Sequence, residues 1–248
     1  AFLLTQSKKN LGDAFEQENE KKPAATDSKA MQVYLRLRPV KFAPENHLKV
    51  LKHANAEAAA TAKVIPTKII CATKEYEFSA ILESHVSQEQ VYDTTVKPYL
   101  PGLKNGQSAL VFCYGRTNAG KTYTVFGEQQ QQQGGDSSSQ WGLVPRALQD
   151  LGSFELSYFE IYNEQIYDLL PSNNATTTST DTHPLLKCVS RHTVSNVQDG
   201  MQLITNTKRR SACNGKNARS SRSHAVCRLS ASTSADLWII DLAGSERP

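Results

Sequence analysis

The sequence predicts an α/β fold, a central and mostly parallel β-sheet with helices on both faces. Three observations predict it. Segments of strand character alternate along the chain with segments of helical character. The segment 108–114, Ser-Ala-Leu-Val-Phe-Cys-Tyr, is a nearly continuous apolar run, as suits a strand covered on both faces. A second such run, Leu237, Trp238, Ile239 and Ile240, lies near the other end.

Residues 1–29 are polar, with Glu16, Glu18 and Glu20 beside Lys21 and Lys22, and are expected to form a flexible extension. Residues 30–248 read as one domain. It opens at 32–39, where Val33, Leu35 and Leu37 alternate with polar neighbours, the period of a strand with one buried face. The alanine-rich stretch 55–62 reads as a loop or a short helix. Residues 68–73 and 76–82 read as short strands. Ser87 followed by Gln90 fits a capping box and opens a helix through Val91, Thr95, Tyr99 and Leu103. Pro98 is expected to kink that helix. The Gln/Gly/Ser-rich stretch 129–140 is a loop. Residues 143–151 are helical, with Pro145 tolerated in the first turn. Residues 154–170 read as strand and hairpin, and 172–182 as a polar loop. Asp199 is expected to cap a helix through Met201, Leu203 and Ile204. Residues 225–230 and 237–240 are strands.

Composition excludes several classes of function. The chain has 248 residues, enough for one large domain with a sizeable core. Lys and Arg number 28 against 24 Asp and Glu, a net charge of +4 that by itself gives no case for nucleic acid. No stretch approaches the ~18 apolar residues of a spanning helix, so no membrane partner is expected. The five cysteines, Cys71, Cys113, Cys188, Cys213 and Cys227, are odd in number and widely spaced. They contain no Cys-x-x-Cys pair, and reduced thiols are expected. Residues 1–10 carry four apolar residues and then lysines, which is not the order of a signal peptide. An intracellular chain is therefore expected.

The sharpest feature is Gly115, Arg116, Thr117, Asn118, Ala119, Gly120, Lys121, Thr122, which matches G-x-x-x-x-G-K-[ST] directly after a predicted strand. Glycines let such a loop curl so that several N–H groups point inward at phosphate oxygens. The helix that follows adds the partial positive charge of its N-terminus. Lys121 would reach the β- and γ-phosphates, and Thr122 would supply a hydroxyl to Mg²⁺. This predicts a P-loop nucleoside-triphosphatase fold.

Such a loop needs a second carboxylate and elements that sense the γ-phosphate. Asp241 ends the second apolar run, in the Walker-B manner; the alternative is an ordinary buried strand followed by a solvated acid. Gly244 follows three residues later, where a bare backbone could bring an N–H to the γ-phosphate. Residues 217–224, Asn-Ala-Arg-Ser-Ser-Arg-Ser-His, are a run of hydroxyls and cations. Alone they would be a solvated basic loop, but beside a phosphate loop they are a candidate switch.

The chain resembles the kinesin motor domain. Five segments carry the resemblance: Arg36, Leu37, Arg38, Pro39; the phosphate loop continued through Tyr123 and Thr124; residues 157–164, Ser-Tyr-Phe-Glu-Ile-Tyr-Asn-Glu; residues 217–224; and residues 241–248, Asp-Leu-Ala-Gly-Ser-Glu-Arg-Pro. They occur in the family's order and span residues 31–248. Val33 to Arg36 and the Thr117, Asn118 variant of the loop look most like the mitotic-kinesin-like branch of cytokinesis.

The resemblance implies roles. Arg36, Arg38 and Pro39 would line the adenine and ribose side, with Tyr123 near the base. Ser220 would pass a proton from the attacking water, and Ser221 would ligate Mg²⁺. Arg222 and Glu246 would form a salt bridge that closes the site. Asp241 would hold Mg²⁺ through water, and Gly244 would contact the γ-phosphate. ATP or ADP with Mg²⁺ would be the cofactors and microtubules the partner, in the cytoplasm and on the microtubule cytoskeleton, at the spindle or midzone for that branch. A motor of this family continues past its switch-II motif into a switch-II helix and a neck linker, so the resemblance implies an incomplete motor domain. Dimerisation would run through other regions. The connections at 152–153 and 233–234 are short for the family.

Two further readings stay open. The stretch from Lys208 to His224 contains no acid, and it would either meet the acidic microtubule surface or stand as a solvated loop. A tether that binds nucleotide but turns it over poorly is the alternative to a motor ATPase. A GTPase would want an Asn-Lys-x-Asp motif, and the sequence contains no Asn-Lys dipeptide.

Overall fold

The computed structural model describes residues 31–39, 48–51, 65–128, 137–170, 186, 189–207, 222–230 and 235–246, and the backbone of 2–9. The strands are β1 (Phe2–Lys9), β2 (Gln32–Arg36), β3 (Leu48–Leu51), β4 (Lys68–Cys71), β5 (Lys74–Glu77), β6 (Ala80–Leu82), β7 (Gln107–Tyr114), β8 (Phe154–Tyr162), β9 (Gln165–Asp168), β10 (His192–Val194), β11 (His224–Ser230) and β12 (Asp236–Asp241). The helices are α1 (Gln88–Thr95), α2 (Leu100–Lys104), α3 (Lys121–Phe126), α4 (Leu143–Leu151) and α5 (Val197–Thr205).

The main sheet runs β10-β8-β11-β12-β7-β1-β2-β6, with β9 paired to β8; β3, β4 and β5 form a separate small sheet. The main sheet is mixed, where a mostly parallel one was expected. Its parallel pairs are β12 with β7 and β2 with β6. Hairpin-like neighbours such as β11 and β12 run antiparallel, because a short connection can join only antiparallel strands.

β1 corrects part of the expected extension. It lies inside the sheet, antiparallel to β7 from Phe2↔Tyr114 to Lys9↔Gln107 and antiparallel to β2 from Phe2↔Leu35. Both neighbours present a row of backbone donors and acceptors, and an extended segment between them satisfies both rows at once. The rest of residues 1–29 lies outside the described residues, as do the stretches 55–62 and 172–182.

One face of the sheet builds the core. Ala109, Val111 and Cys113 of β7, Leu237 and Ile239 of β12, Ala225, Cys227 and Leu229 of β11, and Leu156 and Tyr158 of β8 join apolar residues from all five helices in one cluster. On the opposite face Leu110, Phe112, Trp238 and Ile240 are half-buried. The apolar runs in β7 and β12 are thus fully covered on one side only.

Two helix readings shift locally. Ser87 forms both halves of the capping box, as its sequence predicts. The helix then ends at Thr95, a 3-10 turn follows over Lys97–Tyr99, and α2 resumes at Leu100. Pro98 has no N–H to continue the ladder, so a break replaces the expected kink. At α5 the cap is Asn196, whose side chain accepts the Asp199 N–H, while Asp199 sits inside the first turn. Asn196 Nδ2 in turn donates to Asp199 Oδ2 at 2.7 Å, so the expected cap residue is its partner.

The parallel register of β12 on β7 positions the site. It sets Asp241 opposite Cys113, two residues before Gly115. The acid that ends one apolar run therefore stands beside the loop that follows the other.

Candidate nucleotide site

The loop between β7 and α3 is curled by left-handed backbone. Gly115, Asn118 and Gly120 have φ of 152°, 63° and 92°. Such angles cost a side-chain-bearing residue strain but glycine little. Asn118 is one of the few other residues that enters this region readily. The curl is held by Ala119 N–H donating to Arg116 O at 3.1 Å.

Lys121 is buried, and its ammonium donates to Gly115 O and Arg116 O at 2.8 Å each. The cation is thus held against the loop's own carbonyls. Next to it, Thr122 Oγ1 donates to Asp241 Oδ2 at 2.6 Å. Asp241 is 2% exposed, so this carboxylate is carried into the interior at the edge of the loop. The Cys113 thiol under the loop is pushed up to about 12 by burial and then by the nearby Asp241 charge, so it stays protonated.

The segment after β12 folds back onto the loop. Ser245 N–H donates to Gly115 O at 3.1 Å. The Thr117 N–H donates to Glu246 Oε2 at 2.9 Å, and Thr117 Oγ1 bonds Glu246 Oε1. These two bonds hold the Glu246 carboxyl down at about 2, the side-chain bond contributing most. Gly244 makes this approach possible, since an added Cβ would fall on Thr117 Oγ1 and lie 2.6 Å from both Glu246 oxygens. The expected Arg222–Glu246 ion pair is not among the described ones. Glu246 sits on Thr117 instead, because the Ser245 bond draws the chain to the loop, where one residue offers a donor to each carboxylate oxygen. Arg222 is exposed. Ser220 and Ser221 lie outside the described residues.

On the far side of the loop, the Arg36 guanidinium donates to Gln88 Oε1 at 2.8 Å and Thr124 Oγ1 at 2.7 Å, and lies 5.5 Å from the Tyr123 ring centroid. Burial lowers its pKa, opposed by Tyr123 and Cys113. Arg38 bonds Asn118 O at the apex of the loop. Pro39 is exposed, and so is Tyr123 at 40%, its hydroxyl donating to Gln140 Oε1. Arg38, Pro39 and Tyr123 are all exposed, whereas the Arg36 guanidinium is half-buried and engaged by Gln88 and Thr124.

Three contributors escaped the sequence reading. Gln88 bridges Arg36 to Tyr123 O, to which its Nε2 donates at 2.7 Å. Glu160 in β8 is 1% exposed and bonds the buried Ser223 hydroxyl. His224 Nδ1 accepts the Ala243 N–H at 3.1 Å. Glu160 and His224 stood inside quoted motifs without a role, and Gln88 only inside a helix's first turn.

The donor set suits a nucleoside polyphosphate with a divalent cation: curled amides, a buried ammonium, a hydroxyl and a buried carboxylate within 2.6 Å of each other at Thr122 and Asp241. Among the described residues no group of three or more His, Cys, Asp or Glu could hold a metal. A cation here would complete its shell with water and ligand oxygens.

The Kinesin motor domain family model matches residues 36–248. This chain belongs to the kinesin motor domain family. It is 32% identical over 223 residues to the kinesin heavy chain of Doryteuthis pealeii, covering 77% of this chain and 22% of that protein. It is 30% identical over 208 residues to human kinesin-1 heavy chain, covering 72% of this chain and 21% of the relative. The chain thus spans about a fifth of the length of these kinesins. Among solved structures, the Drosophila kinesin family member Kin10/NOD, in complex with divalent manganese and ADP, matches with a TM-score of 0.62 and 21% identity. That match covers 86% of this chain and 70% of the other and shows a shared kinesin fold.

Proposed function

We propose that this chain is the nucleotide-hydrolysing part of a microtubule-dependent motor ATPase. The observation that carries the reading is the joining of three separate segments at one loop: Lys121 on Gly115 and Arg116, Thr122 on Asp241, and Glu246 on Thr117. A passive phosphate-binding loop would need only the first. The ligand is Mg-ATP, becoming Mg-ADP. The backbone of Gly115 to Gly120 wraps the phosphates and Lys121 neutralises them. Thr122 and Ser221, with Asp241 through water, would hold the Mg²⁺, which would offset charge on the phosphate oxygens. Arg38, Pro39 and Tyr123 face the base, with Arg36 supporting Tyr123 from below. Gly244 approaches the γ-phosphate, Ser220 would relay the proton of the attacking water, giving its own hydroxyl proton onward towards the phosphate oxygens as it takes one, and Arg222 pairs with Glu246 when the two segments close.

Membership of the kinesin family supports microtubules as the partner and the cytoplasmic microtubule cytoskeleton as the location. The acid-free stretch from Lys208 to His224 supplies attraction to an acidic surface. A place at the spindle or midzone rests on Val33 to Arg36 and Thr117, Asn118.

Steady-state ATP turnover by the full-length protein, with and without microtubules, tests the reading. Turnover that rises with microtubules is expected. Nucleotide binding without such stimulation would instead indicate a tether that hydrolyses poorly.

A further inference from the structure

We infer that His224 is a positioning residue for the backbone of Gly244. The inference rests on the hydrolytic reading above and concerns a residue to which that reading gives no task.

The ladder between β11 and β12 ends at Ala225↔Asp241. Beyond it the chain leaves the sheet, and the amides of the next residues lose their strand partners. The Ala243 N–H is taken up by His224 Nδ1 at 3.1 Å, so a side chain extends the pairing past the end of the sheet. An accepting Nδ1 carries no proton, which places the ring hydrogen of the neutral imidazole on Nε2. The Ser245 N–H is fixed on Gly115 O at 3.1 Å. Gly244 lies between these two anchored amides, one tied to β11 and one to the phosphate loop. Its own position is also confined sterically, with Thr117 and Glu246 where a Cβ would be.

His224 is itself held from below. It opens β11 opposite Ile161 of β8, and the residue before it, Ser223, is 2% exposed and bonds the buried Glu160 carboxylate of the same strand. The imidazole therefore projects from a point pinned to the neighbouring strand β8. Arg222 lies one residue further out. A displacement of Arg222 that pulls on Ser223 and His224 reaches the Ala243 amide through one side chain. His224 thus links the segment carrying Arg222 to the segment carrying Gly244 and Glu246.

The test compares His224→Ala, His224→Asn and His224→Gln in the full-length protein. An asparagine oxygen stands where Nδ1 stands, whereas a glutamine oxygen lies nearer the place of Nε2. Misplacing a γ-phosphate contact by about 1 Å can cost up to ~100-fold, so His224→Ala and His224→Gln should slow single-turnover ATP hydrolysis by at least about tenfold. The dissociation constant for Mg-ADP should stay within about twofold, because the Lys121 contacts are untouched. His224→Asn should recover hydrolysis to within about threefold of wild type. Amide exchange at Ala243, followed by mass spectrometry, should accelerate in His224→Ala and return toward wild type in His224→Asn. Wild-type hydrolysis in His224→Ala, or an asparagine variant as slow as alanine, would overturn the inference. If the wild-type protein hydrolyses no ATP, the proposed function fails. The exchange rates then still decide whether His224 holds Ala243, and unchanged protection in His224→Ala would sink the contact.

Discussion

The Glu246 carboxylate accepts the Thr117 amide N–H at 2.9 Å, and the Thr117 hydroxyl bonds its other oxygen. Two donors from one loop residue thus hold both oxygens of a carboxylate that comes from the far end of the chain. In the structure this contact takes the place of the expected pairing with Arg222.

A titration tests that contact. Glu246 is held near 2, below its ordinary value of 4.5, so its contribution to stability is present above pH 4.5 and is lost as pH falls towards 2. Thr117→Val removes the hydroxyl and keeps the amide. The Glu246 midpoint, read by carboxyl NMR, should then rise towards the ordinary carboxylate range. A wild-type midpoint already in that range would contradict the two-donor contact.

Lys121→Ala should abolish tight Mg-nucleotide binding. The ammonium now bonds two loop carbonyls at 2.8 Å, so it already stands at the loop where phosphates would enter. Charge-assisted bonds from the ammonium to phosphate oxygens contribute ~1.5–3 kcal/mol each, so losing one to each of two phosphates predicts a loss of at least about a hundredfold. A labelled ATP analogue measures it, and an unchanged dissociation constant would remove Lys121 from the site.

Asp241→Asn should separate metal binding from folding. An amide oxygen can still accept from Thr122 Oγ1, now 2.6 Å from the carboxylate, but the negative charge is gone. Far-UV circular dichroism should be unchanged, while the gain in ADP affinity on adding Mg²⁺ should shrink. Full retention of that gain would place the cation elsewhere.

Arg222→Ala and Glu246→Ala should each slow single-turnover hydrolysis while leaving nucleotide binding largely intact. If Glu246 exchanges Thr117 for Arg222 on closure, the two residues act as one unit, and the double variant should cost little more than either single one. Additive losses would show two independent roles.

Much of the site was legible because its chemistry is local. Eight consecutive residues specify the loop, and the apolar run ending at Asp241 needed only a parallel neighbour to bring that acid beside Thr122. The partners of Arg36 were not legible. Gln88 and Thr124 lie far from it in sequence, and only the tertiary fold brings a residue of α1 and one of α3 to the guanidinium at the end of β2. Glu246 illustrates the same limit, since its partner depends on how closely Gly244 lets two segments approach. The strands of β7 and β12 were found from composition, but apolar runs do not reveal which face is covered or in which direction a neighbour runs. The polar character of most of residues 1–29 concealed β1, because its apolar run of Phe2, Leu3 and Leu4 is short and pairing in a sheet is a property of the backbone.

The position of β1 also sets an order of events during synthesis. Its residues leave the ribosome before any other strand of the sheet, yet the register pairs Phe2 with Tyr114. The strand must therefore wait, unpaired on this side, until the whole of β7 has been made. Contacts of such long sequence separation form slowly. Until they form, β2 and β6 have no connection in the sheet to β7, and the phosphate loop grows from a strand with an open edge. The strand made before the others of this sheet is thus among the last to find its place.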